Sequence, residues 1–440
     1  MSPSLYCWRE GLQAKGILNS DKTPLPAAKF PIAAVRSTFP ALNKAHGFVF
    51  FDNAAGAQVP QLVLDAVNHH LLECNVQRGG RYPQSREVDA TIASGRQALA
   101  DLVNAWNCNE IAFGMNATSF IRLVSLAIGQ TLGSRSEIIL TDMDHEANIA
   151  TWLALEHKGA TFLWWKMRED GLLYVDDLVS LLSAKTRLLA CTLTSNAIGS
   201  IVDVGAAARL VHEAGGEVFI DAVHYGPHGL IDVQEFDCDY LVCSGYKIFA
   251  PHMGFLWGRL HLLQALPTFR EDFIPDEPPG KIEAGTFIYE NVAGMTGAVR
   301  YLEELGRTLD PGQPPISRRA ALQTAFSAIR SYEQQLSVEM LDVLRRSGAT
   351  VYGIVDENRI DQRVPTLCFN IPGISPANVT EQFARKGIGV RDGHMYAPRL
   401  MARLGLTEQN GAVRASLVHY NTIEEVREFG SVLAEITRSC

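Results

Sequence analysis

Between residues 110 and 260, short apolar runs such as those around 137–140, 217–221 and 239–243 alternate with amphipathic helical patterns such as 120–127. This alternation constrains the fold more than any other feature. Strand followed by helix, repeated, is the pattern of an α/β protein built on a mostly parallel sheet. In such a sheet ligands gather at the carboxyl ends of the strands, so residues just past each apolar run are the ones to inspect. Apolar spacings of three and four predict helices at about 61–73 and 85–104. A Pro/Gly-rich stretch at 309–315 reads as a linker. After it come a helix near 316–347, a strand at 364–370, a helix at 375–386 and a strand at 411–419, a βαβ-type arrangement. The expected organisation is an N-terminal arm (1–35), a large domain (36–308) and a smaller C-terminal domain (309–440), and 440 residues suffice for two cores.

Lys247 follows one apolar run and precedes another. Alone it reads as a solvated surface lysine. Held among Val, Ile, Phe and Ala, its ammonium would lose hydration, its pKa would fall, and the amine would become the nucleophile of Schiff-base chemistry. Asp221 ends the run Glu217-Val218-Phe219-Ile220. It is either a turn or N-cap aspartate, or an acid placed to pair with a protonated pyridine nitrogen. His145 would lie at another strand end, in a capping segment or with its ring free to stack on an aromatic cofactor. Small and hydroxyl residues at 114–119 precede an amphipathic helix, where backbone N–H groups can cradle a phosphate.

Nine segments carry a resemblance: FDNAAGAQ (51–58), NVQRG (75–79), NAT (116–118), DHEAN (144–148), SNAIG (195–199), DAVH (221–224), SGYK (244–247), EAGT (283–286) and VRASL (413–417). In order and spacing the set resembles fold-type I pyridoxal-phosphate enzymes of the class V aminotransferase family, nearest to group II cysteine desulfurases. The resemblance implies a large domain with a mostly parallel seven-stranded sheet and a smaller C-terminal α/β domain. It implies pyridoxal 5'-phosphate as cofactor, with Lys247 the Schiff-base residue, Asp221 on the pyridinium and His145 stacked on the ring. It further assigns Asn196 and His224 to the phenolic-oxygen side, and Ala117, Thr118, Ser244 and Tyr246 to the phosphate. Arg414 would bind the substrate α-carboxylate, with Arg391 and Asn53 completing a substrate set. Thr286 would reach the cofactor of a partner subunit, making a homodimer with shared sites.

One departure is as informative as the match. Group II desulfurases carry a nucleophilic cysteine shortly after an Arg-x-Gly-His segment. Here that segment runs Arg391-Asp392-Gly393-His394-Met395-Tyr396, and Tyr396 holds the cysteine's place. Of the eight cysteines (7, 74, 108, 191, 238, 243, 368 and 440), Cys191, Cys243 and Cys368 lie in apolar runs and read as inert core. Tyrosine cannot form a persulfide, so a β-substituent that leaves unaided fits better. The expected reaction is that of a lyase on a small L-amino acid: L-aspartate β-decarboxylation, giving an enamine that is protonated or adds to an aldehyde, the latter yielding a γ-hydroxy amino acid. In lacking the thiol the chain is similar to decarboxylative aldolases of fungal ustiloxin-type biosynthesis. The alternatives are a desulfurase or selenocysteine lyase using another thiol, an epimerase, and a non-catalytic scaffold.

A net charge of −9 argues against a nucleic-acid partner. No run of 18 apolar residues suggests a membrane span, no secretory h-region opens the chain, and the cysteines lack metal or redox spacings, so no metal and a cytoplasmic location are expected. Lys15, Lys22 and Lys29 in the arm leave organellar targeting as the alternative.

Overall fold

The computed structural model describes residues 30–438, apart from 310, 311, 313, 314 and 409. Most of the expected arm, with Lys15, Lys22 and Lys29, and parts of the expected linker therefore lie outside the described residues, as do Cys7 and Cys440. From Ile32 the chain is already helical, and the described residues from Ile32 onward form one compact unit. No helix among the described residues is long and apolar enough to cross a membrane.

The architecture is α/β. Seven strands form one sheet in the order Ile111–Gly114, Gly254–Gly258, Tyr240–Ser244, Glu217–Asp221, Thr186–Thr192, Glu137–Thr141, Thr161–Trp165. Only Gly254–Gly258 runs against the rest. The strands read as apolar throughout because both faces are covered; every residue of Tyr240–Ser244 and of Gly254–Gly258 is buried. On one face Phe120, Ile121, Val124 and Ile128 of helix Ala117–Gly129 meet Leu140, Leu188, Phe219 and Val242 of the strands. The expected helices at 61–73 and 85–104 are found as Gln61–Glu73 and Pro83–Val103.

The C-terminal part departs from a plain βαβ unit. Its four-stranded sheet runs Arg391–Gly393, Ala412–Ser416, Thr366–Asn370, Thr350–Tyr352, antiparallel at every pairing. Thr366–Asn370, helix Pro376–Arg385 and Arg391–Gly393 do make a strand–helix–strand crossover, but Ala412–Ser416 is inserted between its two strands. The last strand thereby lays Arg414 directly opposite Arg391, in register. That juxtaposition feeds the site.

Candidate active site

One cavity of about 540 Å³ opens at the carboxyl ends of the parallel strands. Successive strand ends deliver Ala117 and Thr118, His145, Thr192 and Thr194, Asn196, Asp221 and His224, then Ser244, Tyr246 and Lys247; the smaller sheet adds Arg391 and Arg414. Eleven of the thirteen residues expected from sequence thus share one cavity. The other two do not line it. Asn53 is buried, and its amide donates to the carbonyls of Phe50 (2.8 Å) and Ser416 (2.9 Å) and to Asn421 Oδ1 (3.0 Å). Its oxygen accepts from the Tyr420 hydroxyl, so Asn53 ties the turn after Phe50 to the segment 416–421, away from the cavity lining where a substrate contact was expected. Thr286 is exposed outside this chain's cavity and accepts a 2.7 Å bond from Gln77 Nε2.

Lys247 sits in a single helical turn, Gly245–Lys247, at the end of its strand and is 7% exposed. Burial, then the nearby Arg414 charge, pull its ammonium down to about 8; Asp221 opposes them. A deprotonated, nucleophilic amine is therefore accessible near neutral pH. Burial pushes the Asp221 carboxyl up, against a 2.9 Å bond from the Val223 N–H to Oδ1 and against the Lys247 charge. A cation placed against that carboxylate would restore its ionised form. His145 is held to about 4 by burial and by the charges of Lys247 and Arg414, so its ring is neutral near pH 7. Its Nδ1 accepts the Ala147 N–H at 3.1 Å, which fixes the ring plane. Behind it Asp144 is fully buried, raised to about 7 by desolvation, and accepts from Thr141 Oγ1, Asn148 Nδ2 (2.7 Å) and the Thr192 N–H (3.0 Å). Asp144 thus pins two strand ends and the helix that follows His145.

The anion cradle is built from backbone. Helix Ala117–Gly129 is capped by Asn116, whose side chain accepts the Ser119 N–H at 2.9 Å in a capping box. The Ala117 N–H donates to Ser244 Oγ at 3.2 Å. Strand Gly254–Gly258 comes so close that a Cβ on Gly254 would lie 2.5 Å from the Asn116 carbonyl carbon. That approach fixes the helix N-terminus over the strand ends, where its N–H groups attract an anion.

Sequence reasoning gave Asp52 no role, yet it holds two arginines together at the cavity edge. Arg391 reaches it through Nε (2.9 and 3.2 Å) and Nη2 (2.8 Å), and Arg414 through Nη2 (2.9 Å). Arg414 is buried, its Nη1 donates to the Asn196 carbonyl at 2.8 Å, and its Nε has no partner. Asn196 Oδ1 and His224 Nδ1 are likewise buried without partners. Orphaned polar atoms around a cavity that also holds a pKa-lowered lysine and a buried carboxylate fit a polar, phosphorylated carbonyl cofactor and an amino-acid carboxylate. Tyr246 stacks on His252 (5.1 Å, 4° between rings), which also lines the cavity.

Tyr396 lies at the cavity mouth, 55% exposed, with its ring 5.7 Å from that of His145. It and Met395 both adopt left-handed backbone (φ 57° and 52°), and its carbonyl accepts the Glu146 N–H at 2.8 Å. No cysteine among the described residues lines the cavity. Burial raises the thiols of Cys191, Cys238, Cys243 and Cys368, the last to about 12.

The aminotransferase class-V family model matches residues 49–310 and 319–429. An aminotransferase-like protein, FGM3, of Gibberella zeae is 36% identical over 91% of this chain and 97% of its own length. A probable cysteine desulfurase of Synechocystis is 33% identical over 90% of this chain and 93% of that protein. The apo cysteine desulfurase of Thermococcus onnurineus superposes with a TM-score of 0.83 at 26% identity, covering 94% of this chain and 99% of that one.

Proposed function

We propose that this chain, which belongs to the class-V aminotransferase family and is a pyridoxal-phosphate-dependent, cysteine desulfurase-like enzyme, is a lyase that removes the β-carboxylate of L-aspartate and passes the resulting carbon nucleophile to a proton or an aldehyde. The observation that carries the reading is Tyr396 at the cavity mouth, where a sulfur-accepting thiol would stand, with no cysteine beside it among the described residues. Bound pyridoxal phosphate supplies an electron sink that stabilises negative charge at Cα and labilises bonds at Cβ. Lys247 and Asp221 would hold it, His145 would cover its ring, and Ala117, Thr118, Ser244 and Tyr246 would take its phosphate end.

The chain's own groups then do the positioning and the proton work. Arg414 offers a buried guanidinium to the substrate α-carboxylate, displacing Asp52 as its partner. The Lys247 Nζ, with a pKa near 8, can take a proton from Cα and return it. His145, neutral at pH 7, excludes water from one side without adding charge. The half-buried Arg391 sits where a second carboxylate of a dicarboxylic amino acid would meet it. We place two such sites in a homodimer.

A second reading, cysteine desulfurisation, is favoured by the activity named for the Synechocystis and Thermococcus relatives. Incubation with L-aspartate, with and without an aromatic aldehyde, separates them. Carbon dioxide with alanine or a coupled product is expected. Sulfide from L-cysteine with no carbon dioxide from aspartate would replace this reading by the second.

A further inference from the structure

The cavity mouth is framed by a short segment with two strained residues in succession. Met395 and Tyr396 both hold left-handed backbone (φ 52° and 57°), and neither is a glycine or an asparagine. Residues with a full side chain persist there only where their surroundings over-determine them, and such positions gather at functional sites. Here the surroundings can be named. The Met395 carbonyl accepts Asn196 Nδ2 at 2.7 Å, and the Tyr396 carbonyl accepts the Glu146 N–H at 2.8 Å. The Tyr396 N–H donates to His394 Nδ1 at 3.0 Å. Each strained residue is thus tied through its own carbonyl to a residue beyond a strand end, and Met395 is tied by a side chain that lines the cavity.

The flanks of this segment are fastened separately. Before it, Arg391–Gly393 pairs with Ala412–Ser416 in the smaller sheet. After it, the Arg399 guanidinium lies 5.0 Å from the Trp164 ring centre, with Nε 3.5 Å from Glu146 Oε2. Arg403 donates to the Met167 carbonyl at 2.7 and 3.1 Å. None of these flanking anchors except Arg391 lines the cavity, whereas Asn196 does. Asn196 is buried, its own carbonyl accepts Arg414 Nη1, and its Oδ1 has no partner. A side-chain amide carries two hydrogens and an accepting oxygen. The bond to Met395 therefore leaves one hydrogen and the oxygen for whatever fills the cavity. An occupant that takes either one fixes the amide plane, and with it the donor that holds Met395.

We propose that Asn196 is a positioning residue that couples the filling of the cavity to the closure of the Tyr396 segment. With cofactor beside its amide, Asn196 holds the strained loop shut; with the cavity empty, the loop opens more often. The coupling is reciprocal, so a closed loop in turn retains the cofactor more tightly. Because Tyr396 and Arg391 travel with this segment, the width of the mouth follows occupancy. The inference goes beyond a cofactor contact at Asn196 and does not depend on which substrate bond the enzyme breaks. Coupling through one hydrogen bond slows loop opening by about three- to ten-fold.

Amide hydrogen exchange without substrate tests it, comparing the full-length protein loaded with pyridoxal phosphate and free of it. The reporter is the Glu146 N–H, which opening of the loop exposes, and the amides of strand Tyr240–Ser244 control for global opening. In wild type, loading should slow Glu146 exchange by about three- to ten-fold while the control amides change less. In Asn196→Asp, which keeps the side chain's size but offers no donor to Met395, loading at equal cofactor content should leave Glu146 exchange nearly unchanged. Equal exchange in loaded and empty wild type would overturn the coupling and reduce the 2.7 Å bond to a purely structural one. A loading effect in Asn196→Asp as large as in wild type would overturn the role of Asn196. If that variant takes up no cofactor, the empty proteins decide: faster Glu146 exchange than wild type supports the proposal, and unchanged exchange overturns it. The wild-type comparison needs no variant, so it remains decisive if Asn196→Asp fails to fold.

Discussion

Replacing Lys247 with methionine should stabilise the cofactor-free protein. The charged ammonium is buried, and its fall from 10.5 to about 8 corresponds to about 3 kcal/mol of disfavoured charge. Below pH 8 both the folded and the unfolded chain carry that charge, and the whole cost is present. Between pH 8 and 10.5 the unfolded chain binds more protons than the folded one, so wild-type stability rises with pH across that window. Above 10.5 neither state is charged and the cost is gone. Methionine fills similar volume without charge, so Lys247→Met removes the cost at pH 7. Part of the gain is lost because Asp221 and Asp52 lose a cationic neighbour. A net gain of about 2 kcal/mol is expected at pH 7, shrinking towards zero by pH 10.5. Differential scanning calorimetry of cofactor-free wild type and variant reads it as a Tm raised by a few degrees at pH 7 and matched at pH 10.5. A variant less stable at pH 7, or equally stabilised at both pH values, would refute the account of Lys247 as a desolvated amine.

Arg414→Gln should lower kcat/KM for the amino-acid substrate by about 10²- to 10³-fold, as loss of a buried charge-assisted partner does, with cofactor absorbance unchanged; steady-state kinetics checks it. Tyr396→Cys places a thiol at the cavity mouth and should let the protein release sulfide from L-cysteine with a reductant, where wild type releases none. Gly199→Ala should cost more than about 2 kcal/mol, read as a lower denaturation midpoint. At φ +77° its Cβ would stand 2.6 Å from the Thr366 carbonyl oxygen and 2.9 Å from that of Val364, both backbone atoms that cannot swing away.

What could be read from the chain was what the chain keeps together. Alternating apolar runs fixed the sheet, because a parallel strand buried on both faces must be apolar along its length, as Tyr240–Ser244 is. Strand ends fixed the cavity, so Lys247, Asp221 and His145 were within reach of sequence reasoning. What escaped it was what side-chain direction decides. Asp52 and Asn53 are adjacent in one matching segment, yet only Asp52 bonds the two arginines at the cavity edge. The turn after Val49–Phe50 sends Asp52 towards the arginines and Asn53 into the contact with Ser416 and Asn421. Likewise no local pattern reveals that Ala412–Ser416 inserts between the two strands of the crossover, since pairing order is a long-range property.

That insertion explains why Asp52 is needed. Like charges directly opposite on neighbouring strands repel, and Arg391 and Arg414 are such a pair. Arg414 is buried and desolvation lowers its pKa, so without a counter-charge two guanidiniums would face one another at the edge of a low-dielectric cavity. Asp52, bonded to both, neutralises them with one carboxylate while leaving Arg414 Nε unpartnered and the pair net positive by one. A site so arranged is incomplete in the electrostatic sense until an anion enters. An α-carboxylate completes it at Arg414, and a dicarboxylic amino acid brings a second carboxylate for Arg391 when Asp52 is shared less. The same sheet geometry therefore favours a carboxylate at Arg414. On the proposed reading, in which Arg391 meets the second carboxylate, L-aspartate should show a lower KM than L-alanine or L-serine.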